Sequence, residues 1–258
     1  EGLSIDITGG EIAVQASDDG MNAAGGNDSS GTEGFRGGGD QFSSTDGAYI
    51  NIAGGTLRVN ASGDGIDSNG DVTVSGGETY VSGPTNDGNG TLDYSGIAQV
   101  TGGIFAASGS SGMAQSFDSS STQGVIMVNV DAQEANTNIE LLNSNGAELL
   151  NWTAEKQYSS IIVSCPEIEE GETYTVKAGT TEQSITMDSL VYGSNASGGG
   201  VPGNNDGKRG GRKEGGMQGG TDNGQLPGNM ERPQGNTPPD APSGENTDNG
   251  TSEGGSSL

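Results

Sequence analysis

The sequence predicts an all-β chain: stacked parallel strands wound as a solenoid, then antiparallel sheet, then a flexible tail. Three observations predict it. Four segments align without gaps on a double glycine. After residue 125 the pattern changes to short apolar runs separated by turn signals. Leu, Ile, Val and Phe together make only 41 of 258 residues, and Gly makes 50, so an ordinary thick globular core is excluded.

The repeats come first. They are Ser4-Ile-Asp-Ile-Thr-Gly-Gly-Glu-Ile-Ala-Val-Gln-Ala16, Tyr49-Ile-Asn-Ile-Ala-Gly-Gly-Thr-Leu-Arg-Val-Asn-Ala61, Asp71-Val-Thr-Val-Ser-Gly-Gly-Glu-Thr-Tyr-Val-Ser-Gly83 and Ile97-Ala-Gln-Val-Thr-Gly-Gly-Ile-Phe-Ala-Ala-Ser-Gly109. In the first three, apolar and polar residues alternate on both sides of Gly-Gly, the period of a strand with one inward face. The glycine pair then bends the chain between two short strands. The second glycines stand at 10, 55, 77 and 103, and a step near 22 residues is a solenoid period. One such turn cannot bury its own apolar face, whereas stacked turns share a narrow core of Ile, Val and Ala. The first step is 45 residues. Residues 26–46 contain no alternating run, so we read one coil, within residues 1–124, carrying a long insertion at about 26–46.

Residues 125–192 hold the second pattern. Val125–Val130, Asn138–Leu142, Ala147–Leu150, Ile161–Val163, Thr173–Val176 and Ser184–Met187 read as strands, and Asn145-Gly146 between two of them is a hairpin signal. We expect antiparallel sheet that packs on or caps the last coil, because an open solenoid end is an aggregation edge. Trp152 is read as packing, and Cys165 as a small buried residue. Residues 193–258 carry 19 Gly and 6 of the 8 Pro, too little apolar surface to offset chain entropy. We read them as a disordered tail or linker. Lys208-Arg-Gly-Gly-Arg-Lys213 is then a solvated stretch of that linker.

Charge excludes whole classes of function. The formal net charge is −26, from 35 acids against 9 bases, which does not suit a phosphate backbone, so no nucleic-acid partner is expected. Without His there is no Ser-His-Asp triad, no Cys-His dyad and no His-ligated zinc. One Cys cannot form an internal disulfide. No run of about 18 apolar residues crosses a membrane as a helix. The chain starts without Met or a leader-like stretch, and we read it as mature or as a fragment.

The acids recur in register. Ser17-Asp-Asp-Gly-Met-Asn22 follows the first repeat and Ser62-Gly-Asp-Gly-Ile-Asp67 the second. Asp19 stands nine residues after Gly10, and Asp64 nine after Gly55; Asn22 and Asp67 correspond in the same way. Neighbouring strands lie about 4.8 Å apart. Carboxylates at that separation repel unless a cation lies between them, and two oxygens across one Ca²⁺ are about 5 Å apart. The first 125 residues hold sixteen acids and only Arg36 and Arg58 to balance them. The expected calcium ligands are therefore Asp18, Asp19, Asp64 and Asp67, with Asn22 adding a neutral oxygen. Asn86, nine residues after Gly77, and its neighbour Asp87 would extend the row. Asp93 and Asp118 are secondary candidates.

At this point the motifs resemble a family. Gly-Gly-x-Ile-x-Val-x-Ala-x-Asp-Asp-Gly, Gly63-Asp-Gly-Ile-Asp-Ser-Asn-Gly70, Gly83-Pro84 with Thr91-Leu-Asp-Tyr94, and Gly109-Ser-Ser-Gly-Met-Ala-Gln115 resemble the bacterial calcium-binding carbohydrate-binding β-helix family. That family is similar in shape to pectate-type polysaccharide lyases. The resemblance spans residues 1 to about 192. It implies a right-handed parallel β-helix with bound Ca²⁺, secreted or displayed on a bacterial cell surface. It implies binding of cellulose or an acidic pectin-like polymer without catalysis, and its acidic calcium positions fall on Asp18, Asp19, Asp64 and Asp67. The chain begins inside a coil, so a site shared with upstream coils is incomplete here.

Three functions compete. A calcium-dependent polysaccharide-binding module, acting as a monomer, would use the cation to bridge acidic protein and uronate. Tyr80, Tyr94, Phe35 and Phe42 could stack on sugar rings, with Arg58 beside them. A lyase needs a base for the C5 proton, typically Lys or Arg in such folds. The first 125 residues contain no Lys, which leaves Arg58 and argues against catalysis. A surface stalk or adhesin would use calcium only to stiffen its coils.

Overall fold

The computed structural model describes residues 3–23 and 44–193, all within one compact unit, Glu1–Asn205. Residues 26–43 of the expected insertion, with Phe35 and Phe42, lie outside the described residues, as does the expected tail from residue 194. The described chain is all-β. It forms a mixed nine-stranded sheet, a four-stranded antiparallel sheet and a three-stranded parallel sheet.

The glycine repeats form the parallel part. Strands β1 (Ser4–Ala16) and β3 (Tyr49–Ala61) each run through a Gly-Gly bend. In the later repeats the same path is split into β5 (Asp71–Val74) with β6 (Glu78–Ser82), and β8 (Ala98–Val100) with β9 (Ile104–Gly109). β1 pairs with β3, β3 with β5 and β6, β5 with β8, and β6 with β9, every pair parallel. The register is the one the gapless alignment gives: Ile5 faces Ile50, Ile50 faces Val72, and Val72 faces Ala98. Because β1 pairs directly with β3, the 45-residue step is a single step along the stack.

Three short strands complete each turn. β2 (Met21–Ala23), β4 (Ile66–Ser68) and β7 (Leu92–Tyr94) pair in parallel order, with Met21, Ile66 and Leu92 in one row. Their side chains and the inward rows of the large sheet form one core of Ile, Val, Leu and Ala, closed by Phe105 edge-on to Phe117 at 4.9 Å. The second glycine of each pair has positive φ, between +78° and +95°, where L-residues are strained. The stack adds a steric demand. A Cβ on Gly55 would stand 2.5 Å from the Gly10 carbonyl oxygen, and one on Gly77 would stand 2.5 Å from that of Gly55.

The remaining strands are β10 (Val125–Gln133), β11 (Asn138–Asn143), β12 (Glu148–Thr153), β13 (Tyr158–Ser164), β14 (Thr173–Ala178), β15 (Thr181–Thr186) and β16 (Val191–Tyr192). β13 pairs antiparallel with β9 and with β10, so it continues the large sheet from its last parallel strand. β12-β11-β14-β15 form the antiparallel sheet. This explains two apolar runs that do not alternate. Ile126, Val128, Ile161 and Val163 join Trp152, Leu141 and Val176 in a second core, while Val125 and Ile162 face the first. These strands are covered on both faces, as continuous apolar runs require. Trp152 and Cys165 are buried in this second core. The β11–β12 hairpin turns at Gly146, φ +78°, with Asn143 accepting the backbone N–H of both Asn145 and Ala147 on its side chain.

Candidate metal centre

The acids converge where the loops after β1 and β3 enter β2 and β4. Gly20 donates its N–H to the Asp64 carbonyl and Met21 to that of Gly65, so the two loops lie one above the other. Asp19, Asp64 and Asp67 thereby come together. Each offers a carboxylate oxygen, and these atoms all lie within 4.8 Å of one another. All three residues are half-buried.

Local hydrogen bonds fix the group. Asp64 N–H donates to Asp19 Oδ1 at 2.8 Å, and Gly90 N–H donates to Asp64 Oδ1, so each of these carboxylates ties its own turn to the next. Asn22 Nδ2 donates to Asp19 Oδ2 at 2.9 Å and to Asp67 Oδ2 at 3.2 Å. A half-turn of that amide would replace two donors with an oxygen aimed at the same place. Gly63 must be small here, because a Cβ would stand 2.4 Å from Asp19 Oδ1. The donor set is all oxygen and includes three carboxylates, which suits a hard divalent cation such as Ca²⁺. The residues present fit that ion.

The other expected ligands are placed differently. Asp18 is exposed and is not one of the three convergent carboxylates. Asn86 is exposed in a turn, accepting Gly88 N–H at 2.9 Å and donating to the Ser62 carbonyl at 3.3 Å. Asp87 accepts the Ser110 hydroxyl. The register brings Asp93, not Asn86 or Asp87, into the row, since β4 pairs with β7 so that Asp67 faces Asp93. Burial pushes the Asp93 carboxyl above its ordinary range; the Tyr94 backbone hydrogen bond opposes this and the charge of Asp19 adds to it. Gln115 Nε2 donates to Asp93 Oδ1 at 3.4 Å. The signal for Asp93 was present: an apolar residue precedes Asn22, Asp67 and Asp93 alike.

The expected sugar-stacking residues also divide. Tyr94 packs against the first core and donates its hydroxyl to the Ser116 carbonyl at 2.8 Å, so its ring is not a free platform. Tyr80 is half-buried on the outer face of the large sheet. Its ring lies 6.1 Å from that of Trp152, and the exposed Arg58 guanidinium stands 4.7 Å from its centroid. Phe35 lies outside the described residues. Among the described residues no helix is long and apolar enough to cross a membrane.

No protein-family model, no curated protein and no solved structure matches the chain.

Proposed function

We propose that the chain is a right-handed parallel β-helix whose turns seat Ca²⁺ between Asp19, Asp64 and Asp67, and that it binds acidic cell-wall polysaccharide outside the cell without catalysing its cleavage. The architecture is supported by parallel ladders in steps of 45, 22 and 26 residues, and by the right-handed rule for parallel crossovers. The observation that carries the function is three carboxylates within 4.8 Å of one another. That much negative charge is stable in one place only with a cation near it. Asp19, Asp64, Asp67 and the Asn22 amide would hold the ion. Bound there, Ca²⁺ supplies open coordination positions for uronate carboxylates or hydroxyls. An acidic chain has few other ways to hold an acidic polymer.

A second reading has its own support. Asp19 and Asp64 each accept a backbone N–H from the next turn, so the same acids serve the stack. On that reading the chain is a stalk or adhesin that calcium only stiffens. Thermal melting and retention separate the two. Saturating Ca²⁺ should raise Tm by roughly 5–10 °C, Mg²⁺ by much less, and Asp67→Asn should remove most of the rise. Retention on polygalacturonate should appear with Ca²⁺ and vanish with EGTA. A calcium-dependent Tm with no retention on pectin or cellulose favours the stalk. A melt indifferent to Ca²⁺ overturns both.

A further inference from the structure

Gly9 has no reason to be glycine in its described surroundings. The first glycine of each later pair does. A Cβ on Gly54 would stand 2.8 Å from the Thr8 carbonyl oxygen, one on Gly76 would stand 2.6 Å from that of Ala53, and one on Gly102 would stand 2.6 Å from that of Ser75. Thr8, Ala53 and Ser75 occupy one repeat position, so each first glycine makes room for the carbonyl of the turn before it. At Gly9 no described atom lies within 4 Å of the same Cβ, and its φ is not in the left-handed region. Neither crowding nor backbone conformation explains it.

Three other features stand on the same face. β1 pairs only with β3, and β2 only with β4, among the described residues. The inward residues Ile5, Ile7, Ile12 and Val14 are half-buried, whereas their partners Ile50, Ile52, Leu57 and Val59 are buried. Leu3 is 45% exposed, while Ala48, which holds the same repeat position, is 6% exposed. A half-exposed row of β-branched residues beside an unpaired edge is a docking surface.

We propose that β1 and β2 dock one further parallel coil of the same Gly-Gly build, carried by the same polypeptide and entering β1 through Leu3, with a backbone carbonyl seated over Gly9. The inference rests on the solenoid reading and not on calcium or polysaccharide. Parallel pairing is specific here, because the carbonyls over Gly54, Gly76 and Gly102 all come from parallel neighbours.

The test adds a coil to the full chain. A copy of Tyr49–Gly70, one 22-residue unit, is joined directly to Ser4. The extended chain should melt at least about 5 °C higher, and amide exchange in β1 should slow at least about tenfold. Gly9→Ala should shift Tm by less than about 1 °C in the original chain and lower it by about 5 °C in the extended one. A second extension built from Asp71–Gly96 repeats the measurement if the first chain does not fold. If neither extension folds or protects β1, or if Gly9→Ala is equally silent in both contexts, the proposal is overturned. Slow β1 exchange in the original chain, or a dimer that protects β1, overturns it too, since the edge is then covered in another way. Gly54→Ala is the control: if it is harmless, the solenoid reading itself fails, whereas a large loss there with silence at Gly9 rejects only the docked coil.

Discussion

The parallel and antiparallel halves of this chain solve the same problem with different means. The parallel half buries single rows of Ile, Val, Leu and Ala, repeated turn after turn. The antiparallel half buries Trp152, Tyr158 and Tyr174 between two sheets. Repetition is the difference that matters. In the parallel half, a residue type demanded at one position is demanded again a few ångströms away, so glycines stack on glycines and acids on acids. In the antiparallel half no position recurs. The nearest approach is a pocket lined by Glu167, Glu169 and Glu172, with no three carboxylates converging there as they do at Asp19, Asp64 and Asp67.

Two glycines of the same backbone conformation break the comparison most sharply. Gly55 and Gly146 have φ of +86° and +78°. A Cβ on Gly146 meets open space, whereas one on Gly55 would collide with the backbone of the preceding turn. Gly146→Ala should therefore cost only the conformational penalty, about 1–2 kcal/mol. Gly55→Ala adds the steric one and should cost at least about 3 kcal/mol. Urea unfolding of both variants checks this. Equal losses would mean that stacking does not set the requirement at Gly55.

Alkaline pH sharpens the comparison from the other side. Burial pushes the Cys165 thiol and the Tyr158 hydroxyl each up to about 12. In the unfolded chain these groups ionise near pH 9 and 10. Below about pH 8.5 both are neutral in either state and favour neither. Between about pH 9 and 12 the unfolded chain releases protons that the folded chain retains, so stability falls as pH rises. The urea midpoint should drop across the accessible part of that window, and Cys165→Ala should make the drop shallower. A midpoint flat from pH 8.5 to 11 would contradict the burial of these groups.

How much of this was legible in the sequence depends on whether spacing was constant. The Gly-Gly alignment gave the strand register residue by residue, because alternation and the positive-φ glycine fix both face and position. The first two acidic loops were legible for the same reason, since Met21 and Ile66 stand at one distance from their glycines. The third failed because the chain between β6 and β7 is longer, as the 26-residue step shows against 22 before it. Counting nine from Gly77 lands on Asn86, while the ladder places Gly90 beside Asp64 and Asp93 beside Asp67. Tyr94 was misread as a sugar platform because alternation in a three-residue strand does not show which face is covered. The double-sided burial of β10 and β13 was written in their unbroken apolar runs, but the partner sheet was not.

The smallest effect belongs to Arg58, and it bears on whether the parallel half does chemistry. Arg58 is exposed on β3, and its guanidinium rests 4.7 Å from the Tyr80 centroid, next to Trp152 where the two halves meet. An exposed cation–π pair is worth about 0.5–1 kcal/mol. Arg58→Ala should cost no more than that, and Arg58→Lys less, with Ca²⁺-dependent melting unchanged because the acids sit on other strands. A uronate lyase needs a base aimed at the C5 proton, and a guanidinium stacked on an aromatic face is held away from that role until substrate displaces it. Polygalacturonate incubated with the protein and Ca²⁺ should yield no unsaturated product by ultraviolet absorbance. If product forms and Arg58→Ala abolishes it, the molecule is an enzyme, and the stacking on Tyr80 is a resting position of its base.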